Sequence, residues 1–126
     1  MNEATLQDGI REHLAKVQGL RSYAFAASGT HGPLHGAVPT GWPDLLVLAP
    51  IWLYSKHGMA VSITKHVYFE VKAMRGKVTR EQERMHEELR ELGCRIGIIR
   101  ADSVADGVRQ VEAILMEEGV VLRSWE

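Results

Sequence analysis

The run His66-Val67-Tyr68-Phe69-Glu70-Val71-Lys72 constrains the fold more than any other part of the chain. Val67, Phe69 and Val71 alternate with Tyr68, Glu70 and Lys72, which is the period of a strand with one apolar face. Side chains at i and i+2 of a strand share a face, roughly 6.5–7 Å apart. Glu70 and Lys72 therefore stand side by side, opposite the apolar residues. A second strand spans Asp44 to Ala49, after a loop that ends in Gly41-Trp42-Pro43. It is almost continuously apolar, so it is expected to be central and buried on both faces. Asp44, Glu70 and Lys72 then form one set: two oxygen donors suited to a hard divalent cation, and a positive charge able to steer a water or a phosphate. The plainer account is a Glu70–Lys72 ion pair on an exposed edge strand, worth about 0–1 kcal/mol, with Asp44 capping a turn.

Elements on either side can be placed from periodicity. Leu6, Ile10, Leu14 and Val17 fall on one face of a helix over about residues 3–18, and Gly19 is a stop signal. Glu3 sits in the first turn, where a carboxylate suits the helix dipole. Tyr23, Phe25 and Ala27 alternate with Ala24 and Ala26 as a short strand or extended segment. Residues 28–41 are rich in Gly, Pro and His and read as a loop. Gly32 and Pro33 disfavour the helix that would place His31 and His35 on one face, so the His-x3-His spacing does not carry a zinc site. Contact with substrate phosphate through Ser28, Thr30 or His31 is the functional reading of this loop.

Residues 50–65 admit two readings. The strand continues past a bulge at Pro50–Tyr54, turns at Lys56-His57-Gly58 and returns from Ala60 as a long hairpin; or the segment is a surface excursion that exposes Trp52, Tyr54 and Met59 to a partner. Thr79 opens the next helix, and Thr79 with Gln82 fits a capping box. Met85, Leu89 and Leu92 supply its buried stripe and Gly93 ends it. A strand over Arg95–Arg100 follows, then Ser103 as N-cap of a helix with Val104, Val108, Val111 and Leu115 on one face. Gly119 closes that helix, and Val120-Val121-Leu122 is a candidate last strand.

The size, 126 residues, is that of one domain with one substantial core. A lone Cys94 makes no intramolecular disulfide and reads as a buried structural thiol. No apolar run approaches the ~20 residues of a membrane span. The first residues lack a signal-peptide pattern, so a cytoplasmic protein is expected. The net charge of −1 gives little general affinity for nucleic acid. Any such contact needs a local patch, and Lys72, Arg75, Lys77 and Arg80 supply one beside the acidic residues.

Pro43-Asp44 before an apolar strand, Glu70-Val71-Lys72 ending another, and Thr79-Arg80-Glu81-Gln82 opening a helix together resemble the PD-(D/E)XK nuclease superfamily, and within it the VRR-NUC family. The resemblance covers roughly Glu3 to Arg100. It implies an α/β fold with a restriction-endonuclease-like core, a mixed central sheet flanked by helices in the order α-β-β-β-α-β-α. It implies a metal-dependent DNA endonuclease using Mg²⁺, with Mn²⁺ able to substitute. Asp44, Glu70 and the backbone carbonyl of Val71 would hold the metal, Lys72 would orient the attacking water, and Gln82 and Glu3 would complete the catalytic set. Ser28, Arg75, Lys77 and Arg80 would contact DNA, with branched forms such as four-way junctions as suggested substrates. A nucleic-acid-binding module of the same fold without turnover is the alternative. The small stand-alone relatives suggest a homodimer, with Trp52, Leu53, Tyr54 and Met59 as candidate interface residues.

Overall fold

The computed structural model describes residues 1–25 and 38–123. Its elements run α1 (Glu3–Leu14), β1 (Arg21–Ala24), β2 (Leu45–Tyr54), β3 (Ala60–Lys72), α2 (Arg80–Glu91), β4 (Arg95–Arg100) and α3 (Val104–Glu117). The strands form one mixed sheet in the order β1-β2-β3-β4. β1–β2 and β2–β3 are antiparallel, and β3–β4 is parallel. The α2 helix provides the crossover that a parallel β3–β4 pair requires.

One face of the sheet presents Leu45, Val47, Ala49, Val67, Phe69, Val71 and Ile99, all fully buried or nearly so. Helices α1 and α3 cover it with Leu6, Ile10, Leu14, Val108, Val111 and Leu115. The two helices approach closely because glycines stand where they cross. A Cβ on Gly9 would lie 2.4 Å from Val104 Cγ2, and one on Gly107 would lie 3.0 Å from Ile10 Cδ1. The opposite face carries Tyr68, Glu70 and Lys72, and α2 packs there through His86. The sheet is thus sandwiched, with two helices on one side and one on the other. No helix among the described residues is long and apolar enough to cross a membrane.

Several boundaries differ from the sequence expectation. α1 ends at Leu14, and residues 15–18 tighten into turns, with Lys16 N–H donating to the His13 carbonyl at 3.0 Å. Val17 is still buried. β1 stops at Ala24, while Phe25 N–H donates to the Asp44 carbonyl at 2.9 Å; Ala27 lies outside the described residues. β2 is not buried on both faces: Leu45, Val47, Ala49 and Ile51 are buried, whereas Leu46, Leu48 and Pro50 are half-buried. Residues 120–122 add no strand, although Val120 is buried. Cys94 is half-buried rather than buried.

The hairpin reading of residues 50–65 is correct, but there is no bulge. Pairing runs unbroken from Leu45↔Phe69 to Tyr54↔Ala60. Pro50 fits without one because of where its missing N–H would point. The Phe25–Asp44 bond shows that even-numbered β2 residues turn their backbone groups toward β1, and β1 pairs no further along than Leu48. The missing donor therefore falls beyond the end of the neighbouring strand, where no ladder bond is lost.

In α2 the predicted stripe is half right. Leu89 is buried and Met85 half-buried, but Leu92 is 80% exposed, while His86 is fully buried. Leu92 sits at the helix C-cap, one residue before Gly93 turns the chain at φ 90°.

Candidate active site

Asp44 is delivered to the end of β2 by a loop pinned at three places. Trp42 packs edge-on against Tyr68 at 5.5 Å between ring centroids, and Phe25 packs edge-on against Trp42 at 6.1 Å. Pro43 is buried. Gly41, at φ 90°, lies so close to the start of α2 that a Cβ there would be 2.4 Å from the Glu81 carbonyl oxygen. Only glycine meets both conditions at once. Asp44 Oδ2 then accepts a hydrogen bond from Val71 N–H at 2.8 Å. Because a strand residue turns its N–H and C=O to the same side, this bond places the Val71 carbonyl on the Asp44 side of β3.

Glu70 is fully buried on the α2 face of β3, and Lys72 beside it is 7% exposed. The edge-strand ion pair is thereby excluded: β3 lies between β2 and β4, and both side chains are buried. Glu70 Oε1 is instead 3.1 Å from His86 Nε2, and Glu70 Oε2 has no hydrogen-bond partner. Burial pushes the Glu70 carboxyl up to about 9; the adjacent Asp44 carboxylate pushes the same way, Lys72 opposes, and Glu3 adds a smaller upward push. In its protonated form Glu70 lies within hydrogen-bonding reach of Asp44, which raises it further; with both carboxyls ionised, Oε2 faces no donor. Burial also lowers His86, helped by Arg90. Both partners favour their neutral forms, so the Glu70–His86 contact is a neutral hydrogen bond rather than an ion pair.

Glu3 reaches the same neighbourhood from the N-terminus of α1. A Cβ on Gly76 would lie 2.9 Å from Glu3 Oε1 and 3.4 Å from Lys72 Cβ, so the turn after β3 brings Glu3 and Lys72 together across a glycine. Gln82 completes both bonds of the capping box: its Oε1 accepts from Thr79 N–H at 2.9 Å, and its own N–H donates to Thr79 Oγ1 at 3.1 Å. The carbonyl end of Gln82 is therefore committed to the cap, which leaves the side-chain NH₂ as the group able to meet a ligand. Gln82 and Asp44 line one cavity of about 290 Å³, together with Phe25, Trp42 and Thr79.

Arg75, Lys77 and Arg80 are all exposed, on the turn that links β3 to α2 and at its first residue. Arg100 joins them: its Nε donates to the Gly76 carbonyl at 3.1 Å. Ser28, Thr30, His31 and His35 lie outside the described residues. The structure thus brings Asp44, Glu70, Val71, Lys72 and Glu3 together, with Gln82 on the adjoining cavity. The sequence reading missed His86 and Arg100. The available signal for His86 was its place four residues after Gln82 and three before Leu89, on the helical stripe that faces the sheet.

The donors suit a hard divalent cation. They comprise two neighbouring carboxylates, one with an orphaned buried oxygen, and a backbone carbonyl on the same side. Magnesium is typically held by one or two carboxylates with its remaining positions left to water and phosphate. No group of three or more His, Cys, Asp or Glu among the described residues is arranged to hold a metal, so the fit rests on that smaller set. Compared with family models, with curated proteins and with solved structures, the chain finds no match.

Proposed function

We propose that this protein is a divalent-metal-dependent nuclease with a restriction-endonuclease-like core, hydrolysing phosphodiester bonds in DNA. The carrying observation is Glu70 Oε2, buried and unpartnered beside Asp44, with Lys72 on the same strand face. With its carboxyl near 9, ionising Glu70 at neutral pH costs about 3 kcal/mol. A stability role would be served better by an apolar side chain. A divalent cation offsets that cost, which gives the buried acid a purpose. The resemblance to VRR-NUC nucleases over Asp44, Glu70-Val71-Lys72 and Gln82 supports the same reading.

Asp44, Glu70 and the Val71 carbonyl would hold Mg²⁺ or Mn²⁺, with Glu3 near enough to add negative charge. The cation supplies charge neutralisation at the phosphate and lowers the pKa of a water. Lys72, a compact ammonium on a flexible stem, orients the attacking water and offsets charge on the pentavalent transition state. The Gln82 NH₂ donates to a phosphate oxygen or to that water. The water oxygen bonds to phosphorus as one P–O ester bond breaks, and no side chain serves as nucleophile. Arg75, Lys77, Arg80 and Arg100 hold the DNA backbone at the mouth of the site. Two copies joined through Trp52, Leu53, Tyr54 and Met59 would double this patch and set two sites at fixed spacing, which suits four-way junctions. All four side chains are more than half exposed in the single chain.

The test is incubation with labelled duplex, flap and four-way DNAs in Mg²⁺, Mn²⁺ or chelator. Cleavage that needs the cation and disappears in Asp44→Asn is expected. Cation-dependent DNA binding without cleavage would instead favour the module without turnover.

A further inference from the structure

The histidine behind Glu70 has no place in the roles assigned above, yet it makes a fully buried side-chain hydrogen bond to Glu70. His86 Nε2 lies 3.1 Å from Glu70 Oε1, and the two side chains are 2% and 1% exposed. They come from opposite layers, sheet and helix, sixteen residues apart. The terminal torsion of a glutamate is broad and roughly two-fold, so a carboxyl without a fixed partner does not present one particular oxygen. Here one oxygen is tied and the other is not. Asp44 is arranged in the same way, with Oδ2 tied to Val71 N–H and Oδ1 outside that bond. Helix α2 is in turn fixed at its start, by the Thr79–Gln82 capping box and by the contact of Gly41 with the Glu81 backbone. His86 therefore stands on a rigid element, one turn beyond Gln82.

We propose that His86 is a positioning residue: by taking Glu70 Oε1 it sets the carboxyl plane and turns Oε2 toward the cation held with Asp44. This rests on the nuclease reading, since it gives Glu70 its ligand role. Partners behind metal-ligating groups are worth about 10–100-fold in metal affinity. A core-filling histidine would be worth nothing in affinity, because a leucine of similar bulk would fill the same space beside Leu89 and Met85.

The experiment measures Mn²⁺ affinity by the loss of the free-ion electron paramagnetic resonance signal, and thermal stability, on the full chain. His86→Leu should weaken Mn²⁺ binding about 10-fold or more; it also strips the buried Glu70 Oε1 of its partner, so the melting temperature should fall by a few degrees. His86→Gln, whose side-chain NH₂ can reach the Glu70 oxygen, should hold affinity within about 3-fold of the parent. In a Glu70→Gln background, His86→Leu should bring no further loss, since the group it positions is gone. Unchanged affinity in His86→Leu overturns the positioning role alone. So does an equal loss with or without Glu70. If the leucine variant fails to fold, a glutamine variant with the full affinity loss also overturns it. A parent protein that takes up no Mn²⁺ overturns the proposed function, and the positioning role falls with it.

Discussion

At the Asp44 end, the hairpin of β2 and β3 is flanked by β1 and β4 and covered by helices on both faces; at the Gly58 end, the same two strands have no third strand beside them. β1 pairs only as far as Leu48, and β4 begins opposite Val67. Pairing between β2 and β3 continues regardless, in one register from end to end. The covered end buries charge: Glu70 is fully buried and Lys72 is 7% exposed. The uncovered end exposes apolar groups: Trp52 is 58%, Tyr54 74% and Met59 69% exposed. Each half inverts the usual arrangement, and each gives up stability in doing so. Local strand pairing does not distinguish them, because it is the same in both. What surrounds the ribbon does. The two places where stability is forgone are the proposed catalytic end and the proposed contact end.

The largest expected effects break the covered end. Asp44→Asn should reduce cleavage by at least three orders of magnitude while the fold and most DNA binding remain, since the change removes charge and barely alters volume. A purified variant that cuts at the parental rate would show that Asp44 has no catalytic part. Lys72→Ala should cost about 10²–10³ in rate, the usual cost of removing one charge-stabilising donor, with Mn²⁺ binding retained. Loss of Mn²⁺ affinity as large as that of Asp44→Asn would mean that Lys72 organises the cation site instead.

Glu70 sharpens the comparison through pH. Its folded carboxyl, near 9, lies above the ordinary 4.5. Folding therefore favours the protonated acid. The associated stability is complete below about pH 4.5, shrinks as the unfolded carboxyl ionises, and is lost as the pH passes through about 9. At pH 7 this costs about 3 kcal/mol relative to pH 4. Glu70→Gln should relieve it and raise the melting temperature at pH 7 by about 10 °C, while weakening Mn²⁺ binding without abolishing it, since Asp44 and the Val71 carbonyl remain. Melting curves of the metal-free protein between pH 5 and pH 8 check this. An equal pH slope in parent and variant would assign the slope to other groups. No substitution in the exposed half of the hairpin should alter that slope.

Much of this was legible beforehand, and the misses have physical causes. Alternation placed Glu70 and Lys72 on one face because strand period is local. The Thr79–Gln82 and Ser103 caps were readable because capping acts over three residues. His86 had its place on the buried stripe as its signal, but its role was not readable, since its partner lies across the sheet–helix interface. Leu92 looked like core because the stripe reaches it, but the chain turns away at Gly93. The unbroken arm was obscured by Pro50, which sits harmlessly only because β1 has already ended. Burial depends on where flanking elements stop, and that is a property of the assembled fold.

Gln82 tests the boundary between structure and chemistry with a smaller effect. Its Oε1 serves the cap, and Glu serves a capping box equally well. Gln82→Glu should thus leave the melting temperature within about 2 °C, while replacing an NH₂ donor by a negative charge near phosphate. We expect a loss of about 10²-fold in cleavage rate. Activity equal to the parent would confine Gln82 to the cap.

The smallest effect on the folded core should come from the exposed half. Trp52 and Tyr54 share one face of the ribbon, and Leu53 with Val61 lies on the other, in continuation of the core face. None is covered, and a two-stranded ribbon alone is at best marginally stable in water. Trp52→Ser with Tyr54→Ser removes apolar area that the single chain already exposes, so the melting temperature of the monomer should move by no more than about 2 °C. Mn²⁺ affinity should stay unchanged, because Asp44 and Glu70 lie at the far end of the strands. What should change is mass: light scattering of the parent at micromolar concentration should give about twice the 14.1 kDa chain, and the double variant the chain mass itself. Cutting of both strands of a symmetric junction in one encounter should then decay into single nicks, with the rate per site preserved. A parent that is monomeric and still cuts both strands together would sink the second copy and leave the exposed arm to a different partner.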